Sequence, residues 1–529
     1  MTIFYLISTI LFFFGMILIL RLPRNKLRFS LILLLVILGS ICVGMRRKPH
    51  VLELVHYHLG SKYFKELSYD KLYFEILRVL NSEYNKEELK PISAVRDLEN
   101  YRLIFPIIAQ QMSGDRSRVW SEKRWMEFRG DVLFFDKMLR KYSAKNPFEH
   151  WAKILRDHGY NPPPTYTAYT LPLFNALPLN YFSVWLFMGM DILLILLAVF
   201  LIYRAFGLRS AAMMFIFMAF SWDMLAYLTW ALFRFDWFFS IVLGIFLLKK
   251  KKYFLSGLGF SLSIILRLFP LVIVSVIAGF GILNWINDRK FGKNVIRFVT
   301  GVIAGSIILV GISTAILSID TGKSPQNIWR DYSKNIALHN KTITLNHVGN
   351  IRLVQGTPGR ELAEMISRIA NPTDSDKRTQ WETKLRFFSI YDKAAIFIRN
   401  HDWIGFIISV ILVSLLFLGN YRRGIPLYRA AIYGILAIPI FIALSHYYYI
   451  YLGLLFCLID HDKIYNYLIV WILIIVAATN ISWLYMDLAE DYEVFIKMYC
   501  NNLSIALFSV PIVTFLYRIF KKDKRKLTA

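Results

Sequence analysis

Apolar runs of membrane-spanning length recur along almost the whole chain, and only two long polar stretches, residues 46–181 and 319–401, interrupt them. The connectors between the other runs are short and mostly basic. A chain that alternates between about 20 apolar residues and a few basic ones threads a bilayer repeatedly, and its long polar stretches must fold outside the hydrocarbon. Composition agrees. Of 529 residues 56% are hydrophobic and 19% charged, with mean hydropathy +0.46. So few charges cannot cover a soluble protein that apolar, whereas a polytopic helical protein has lipid as its solvent. The net charge of +26 would suit nucleic acid in a soluble domain. Here the basic clusters lie beside apolar runs, so membrane lipids with anionic headgroups are the expected partner and no nucleic acid is expected. Cys42, Cys457 and Cys500 show no metal spacing and read as small apolar residues.

Candidate spans are 2–21, 29–45, 182–206, 210–228, 229–248, 253–266, 268–286, 296–318, 402–419, 428–446, 447–460, 464–486 and 501–520, about thirteen transmembrane helices in all. The pair around Arg267 is short and reads as one broken helix plus a span. With that count the basic connectors at 21–28, 204–209, 249–252, 289–293 and 422–429, and the tail 521–529, share one side. The positive-inside rule makes that side cytoplasmic and the amino terminus external. Both long loops then face outward. In the first, segments such as 69–80 and 130–142 step at three and four residues, which predicts amphipathic helices. The string NPPP (161–164) predicts an extended stretch leading back to the membrane. The expected fold is an all-α polytopic membrane protein with amphipathic helices in a long first exoplasmic loop.

The densest polar cluster follows the second span: ELVHYHLGSKY (53–63), then YDKLY (69–73). It sets Glu53, His56, Tyr57, His58 and Lys62 where a helix leaves the bilayer, with Asp70 close behind. A carboxylate so placed can take a proton from a hydroxyl. His56 and His58 lack the i, i+4 spacing of a helical zinc pair, so no metal site is assigned. Within apolar runs lie Asp223, RFDW (234–237) with Arg234 and Asp236, and RLFP (267–270) with Arg267. Charges at membrane depth are costly and face a cavity or a partner. The assigned topology puts Arg234, Asp236 and Arg267 toward the outer leaflet, on Glu53's side. A guanidinium there suits a lipid-linked phosphate. DHGYN (157–161) and HNKTITLNHVG (339–349) supply further hydrogen-bonding groups outside, among them Asn161 and Asn346. Arg96 with Asp97 and Arg129 with Asp131 are expected to form ion pairs within the loop, and HYYY (446–449) to form an interfacial aromatic belt or, as the lesser alternative, to line a sugar or polyprenyl groove.

These strings resemble the integral-membrane GT-C glycosyltransferases, and within them the bacterial branch related to family 87, the polyprenyl-phosphate-mannose-dependent mannosyltransferases. The likeness rests on ELVHYHLGSKY and YDKLY in the first outer loop, on RFDW and RLFP, and on the second polar loop. It implies a fold of many helices, a polyprenyl-phosphate-linked sugar donor, and a catalytic carboxylate early in the first loop. The family favours aspartate there; this chain offers Glu53, with Asp70 in reserve. The expectation is inverting transfer of a sugar such as mannose to a hydroxyl of a lipid or glycan acceptor, on the periplasmic face of a bacterial inner membrane. Arg234, Arg267 and Lys62 are the expected phosphate ligands. His56, Tyr57, His58, Asn161 and Asn346 are the expected acceptor or sugar contacts, and Asp236 and Asp223 shape the cavity. No cofactor is assigned and a divalent cation is left open. No glycine-rich nucleotide fingerprint occurs, which suits a lipid-borne donor. Two alternatives stand beside this reading: a transporter or flippase of a lipid-linked or anionic solute, and a membrane acyltransferase using His56 or His58 as base.

Overall fold

The computed structural model describes residues 30–32, 34, 49–112, 114, 119–142, 146–220, 231–289, 292–341, 347–349, 397, 402–421, 424–459, 466, 468–470, 503–504 and 507–520. Asp223, Asn346 and the expected spans 2–21 and 464–486 lie wholly or almost wholly outside them. The described part is nearly all helical. Its short strands form two two-residue antiparallel ladders, β1 (Val95–Arg96) with β2 (Leu103–Ile104) and β3 (His347–Val348) with β4 (Leu444–Ser445).

The first loop is a folded helical unit. It opens with α1 (Val51–Leu54), a π-wound turn (Val55–Leu59), α2 (Gly60–Lys62), α3 (Phe64–Leu67) and α4 (Leu72–Glu83). It continues through α5 (Pro106–Met112), α6 (Glu122–Tyr142), α7 (Pro147–Arg156) and α8 (Pro164–Ala176). The stepped segments at 69–80 and 130–142 thus fall largely within α4 and α6. The stretch after NPPP is not extended but helical. Pro163 is extended, and Pro164 takes the first helical turn, where its fixed φ and missing N–H cost nothing. Trp151, Phe128, Phe135 and Tyr63 fill the unit's core. Asp136 accepts from Trp151 (2.9 Å), Tyr84 (2.7 Å) and Arg140 (2.8 Å) within it. Neither expected ion pair forms: Arg129 pairs with Glu83 and Asp131 with Lys62, while Arg96 donates to the carbonyls of Arg156, Asp157 and Tyr101.

The apolar helices follow: α9 (Tyr181–Phe206), α10 (Leu208–Phe220), α11 (Asp236–Lys249), α12 (Tyr253–Leu266), α13 (Leu271–Asp288) and α14 (Lys293–Thr321). After them come the polar α15 (Pro325–Lys341), then the apolar α16 (Asp402–Asn420), α17 (Leu427–Phe441), a 3₁₀-wound segment His446–Leu458, and α18 (Leu507–Phe520). Three described helices are long and apolar enough to cross a membrane: Tyr181–Phe206, Lys293–Thr321 and Trp403–Asn420. Their exposed faces carry Leu196, Phe200, Ile307, Ile312 and Phe406, an arrangement suited to lipid and costly in water. Among the other described apolar helices, Tyr253–Leu266 keeps its expected length, whereas Leu427–Phe441 ends before the expected 446. The described part of the run 229–248 is helical only from Asp236, because the N–H groups of Arg234 and Phe235 bond to Asp191. The RLFP string parts α12 from α13 completely, and the two helices pack on different neighbours, α12 on α11 and α14, α13 on α17. The segment 446–458 is 3₁₀ rather than α, and at ~2 Å per residue it reaches about 26 Å.

Small residues let α12 and α14 touch. A Cβ on Gly257 would sit 2.2 Å from the carbonyl oxygen of Phe298, one on Gly301 2.1 Å from that of Phe254, and one on Gly305 2.1 Å from Ser261 Oγ. This is the small-xxx-small packing that lets helices meet backbone to backbone in lipid.

Candidate functional site

The α11–α12 pair is a hairpin of two 14-residue arms joined at Lys250–Lys252. Arg234 lies two residues before the first arm and Arg267 directly after the second, so equal arms deliver both guanidinium groups to one end. That end lies about 21 Å from the lysine turn. The backbone at Arg234 is irregular for a visible reason. Asp191, fully buried on α9, accepts the N–H of Arg234 at 2.8 Å and that of Phe235 at 3.1 Å on its Oδ1, replacing a helical ladder. Phe233, just before, has φ +49°. Asp191 lies ten residues into α9, roughly 15 Å from the loop end of that helix. The charges therefore sit below the loop unit, within the depth of the apolar helices.

Glu53 comes down to meet them from α1. Its Oε2 lies 3.4 Å from Arg234 Nε and its Oε1 3.5 Å from Nη2. Neither approach is a well-formed bidentate pair, and Glu53 Oε2 and Arg234 Nε remain buried without a hydrogen bond. Arg234 also donates to the Tyr57 hydroxyl and stands over that ring at 4.7 Å, while Tyr57 reaches Asn161 Oδ1 at 3.4 Å. The π-wound turn that carries Tyr57 adds a residue to the helical repeat, a device often found at functional sites.

Tyr447 and Tyr448, from the start of the 3₁₀ segment, close the other side. Arg234 lies 5.7 Å from the Tyr447 ring and Arg267 5.8 Å from the Tyr448 ring, and the two rings are 4.8 Å apart. The HYYY string is therefore a wall for the two arginines: His446 and Tyr449 are buried and Tyr447 and Tyr448 half-buried. Among the described residues Arg267 has no ion-pair partner, and its Nε is buried without a hydrogen bond. Asp236 is spent locally, accepting from Tyr169 at 2.5 Å and from the N–H of Trp237 at 2.7 Å.

Four expected site residues thus converge directly, Glu53, Tyr57, Asn161 and Arg234, with Arg267 and Asp236 beside them. The others do not. Lys62 is 2% exposed and pairs with Asp131 and Glu127 at 2.8 Å each, so it braces the loop core and is not a free phosphate ligand. His58 is walled in by Phe135, Phe174 and Phe187, and burial, with help from Lys62, pushes its imidazole down to about 3; it has no face toward a sugar. Asp70 lines a different cavity, beside α15. His56 is buried between two partners: Tyr73 OH is 2.8 Å from its Nε2 and Asp157 3.5 Å from its Nδ1. Tyr73 OH accepts the N–H of Gly159, so its own proton goes to His56 Nε2, and His56 is a neutral brace between the π-wound turn and the DHGYN string. Burial holds its pKa below the usual imidazole range, against the pull of Asp157 and Glu53. Burial alone would raise Asp157, but hydrogen bonds from His158 lead the opposing causes and the carboxyl is held down to about 2.

Sequence reasoning missed Asp191 and His50. Asp191 carried the same signal as Arg234, an ionisable residue inside an apolar run. His50 lies within electrostatic reach of Glu53, Arg234 and Asp157. Among the described residues no group of three or more His, Cys, Asp or Glu side chains is arranged to hold a metal ion. Chemically, the arrangement offers one carboxylate, two guanidinium groups and a ring of phenols in a poorly hydrated place. Comparison with family models, with curated proteins and with solved structures finds no match.

Proposed function

We propose that this chain is an integral-membrane glycosyltransferase of the GT-C kind, with about thirteen spans. In this reading it transfers a sugar from a polyprenyl-phosphate donor to an acceptor hydroxyl on the outer face of a bacterial inner membrane. The observation that carries the reading is the approach of Glu53 to Arg234 at 3.4 Å, beside a second guanidinium that makes no ion-pair contact among the described residues. A base and an anion clamp in one buried place are what attack on a phosphate-linked carbon requires.

The reaction follows from those groups. Donor phosphate binds Arg234 and Arg267, whose forked N–H groups match its oxygens. Phosphate and Glu53 compete for Arg234, so donor binding loosens the ion pair and frees Glu53 at the moment it is needed. Glu53 takes the acceptor's hydroxyl proton, and the oxygen forms a bond to the anomeric carbon from the face opposite the phosphate. The carbon–oxygen bond to phosphate breaks, its electron pair leaves with the polyprenyl phosphate, and the configuration inverts. Tyr57 and Asn161 orient the sugar. Asp191 holds Arg234 in register.

A second reading, a transporter of a lipid-linked or anionic solute, draws support from the two irregular segments, 231–235 and 267–270, that bring arginines to one point. An acyltransferase using His56 or His58 is disfavoured by the burial and prior engagement of both rings. Membranes containing the chain, incubated with a radiolabelled polyprenyl-phosphate mannose, separate the first two. Label in a covalent product, formed without sealed vesicles, supports transfer. Label that only crosses sealed vesicles, with no product, overturns it.

A further inference from the structure

Where α15 packs against the first loop it encloses a cavity of about 210 Å³ that the transfer chemistry does not use. Three carboxylates, Asp70, Glu99 and Asp331, face three ammonium groups, Lys71, Lys323 and Lys334. Two of each are already spent: Lys323 lies 2.9 Å from Asp331 and Lys334 3.2 Å from Glu99. Asp70 differs. Its carboxylate has no side-chain partner among the described residues, and burial holds it above the usual carboxylate range against the pull of Lys71 and Lys323. An unpaired, partly desolvated carboxylate in a walled cavity marks a binding site more often than a brace. Leu98 and Leu338 complete the wall with apolar surface.

Balanced charge decides the ligand class. A phosphate would meet as many carboxylates as ammonium groups, and a cation the reverse. A neutral molecule rich in hydroxyls meets no net repulsion: vicinal hydroxyls donate to the two oxygens of Asp70, ring C–H groups rest on the leucines, and ring oxygens accept from Lys71. We propose that this cavity binds a neutral saccharide unit, separate from the unit that reacts.

The cavity is tied to the arginine site by aromatic rings. Tyr69, on its wall, stacks on Tyr160 at 5.9 Å and 21°, and Tyr160 meets Tyr57 edge-on at 6.3 Å. Gly60 makes that column possible, since a Cβ there would lie 2.3 Å from Tyr160. Describing the saccharide as the distal part of an acceptor glycan rests on the transfer reading; the binding itself does not.

Saturation-transfer NMR on the full chain in nanodiscs, with mannotriose, maltotriose and chitotriose as probes and no donor present, tests it. At least one probe should bind, with Asp70→Asn and Leu338→Trp each weakening it tenfold or more. Glu53→Gln should leave that binding unchanged, so a loss of transfer in that variant bears on the catalytic reading alone. Silence from all three probes, or affinity that survives both cavity variants, overturns the proposal.

Discussion

Replacing Asp191 probes the backbone on which the arginine geometry depends. Its Oδ1 takes two buried N–H bonds, at 2.8 and 3.1 Å, and no other described group accepts them. Removing the acceptor in Asp191→Ala orphans both donors at about 1–3 kcal/mol each, so the gross loss is about 2–6 kcal/mol. The segment recovers part of this by relaxing Phe233 out of its left-handed conformation (φ +49°), which costs a non-glycine residue roughly 1–2 kcal/mol. A net loss of about 2.5 kcal/mol, the difference between the two midpoints, is expected. Asp191→Asn is the informative comparison. It keeps Oδ1 and puts an amide in place of Oδ2, an oxygen already buried without a partner. Its loss should be at most half that of alanine. Chemical unfolding in mixed micelles measures both, and binding of a polyprenyl phosphate reports on Arg234: affinity should fall in the alanine variant and persist in the asparagine variant. Equal losses for the two substitutions, or none for alanine, would refute the assignment of Asp191 as the anchor.

The remaining expectations concern packing, charge and pH. Gly301→Ala should part α12 from α14 and lower stability, because its methyl would meet the Phe254 carbonyl, whereas Gly311→Ala, on the open face of α14, should be neutral or stabilising by up to ~1 kcal/mol; melting of the two variants side by side decides it. Lys62→Met strands a buried carboxylate at Asp131 and should cost about 3–5 kcal/mol while leaving the donor KM unchanged; a raised donor KM at full stability would restore Lys62 as a phosphate ligand. His58 stays neutral in the folded chain down to about pH 3 but takes a proton near 6.5 when unfolded. Below 6.5 the unfolded state therefore gains a proton that the folded state refuses, and stability falls with pH until about 3. Between pH 7 and 5 the wild type should lose about 2 kcal/mol more than His58→Phe; parallel pH profiles would contradict this.

Residues whose type is costly in their surroundings were the legible ones. Arg234 and Arg267 announce themselves as charges in apolar runs, and Glu53 as a carboxylate at the rim of one. Asp191 announces itself equally well by the same rule. What was not legible is pairing at long range. Nothing near Lys62 says that Asp131 will claim it, nor does the sequence around His58 say that three phenyl rings will enclose it. Helix length misled for a related reason. Hydropathy measures how apolar a run is, not whether its backbone N–H groups bond within the run, and those of Arg234 and Phe235 bond to Asp191 instead. The π-wound turn at Val55–Leu59, which aims Tyr57 at Arg234, has no compositional sign at all.

Single-turnover transfer by Glu53→Gln from a polyprenyl-phosphate sugar tests the central claim most directly. The substitution keeps size and hydrogen bonding but cannot accept the proton. Turnover should fall about 10²–10⁴-fold with donor affinity preserved or raised, since phosphate no longer competes with a carboxylate for Arg234. Wild-type turnover in that variant would contradict the account.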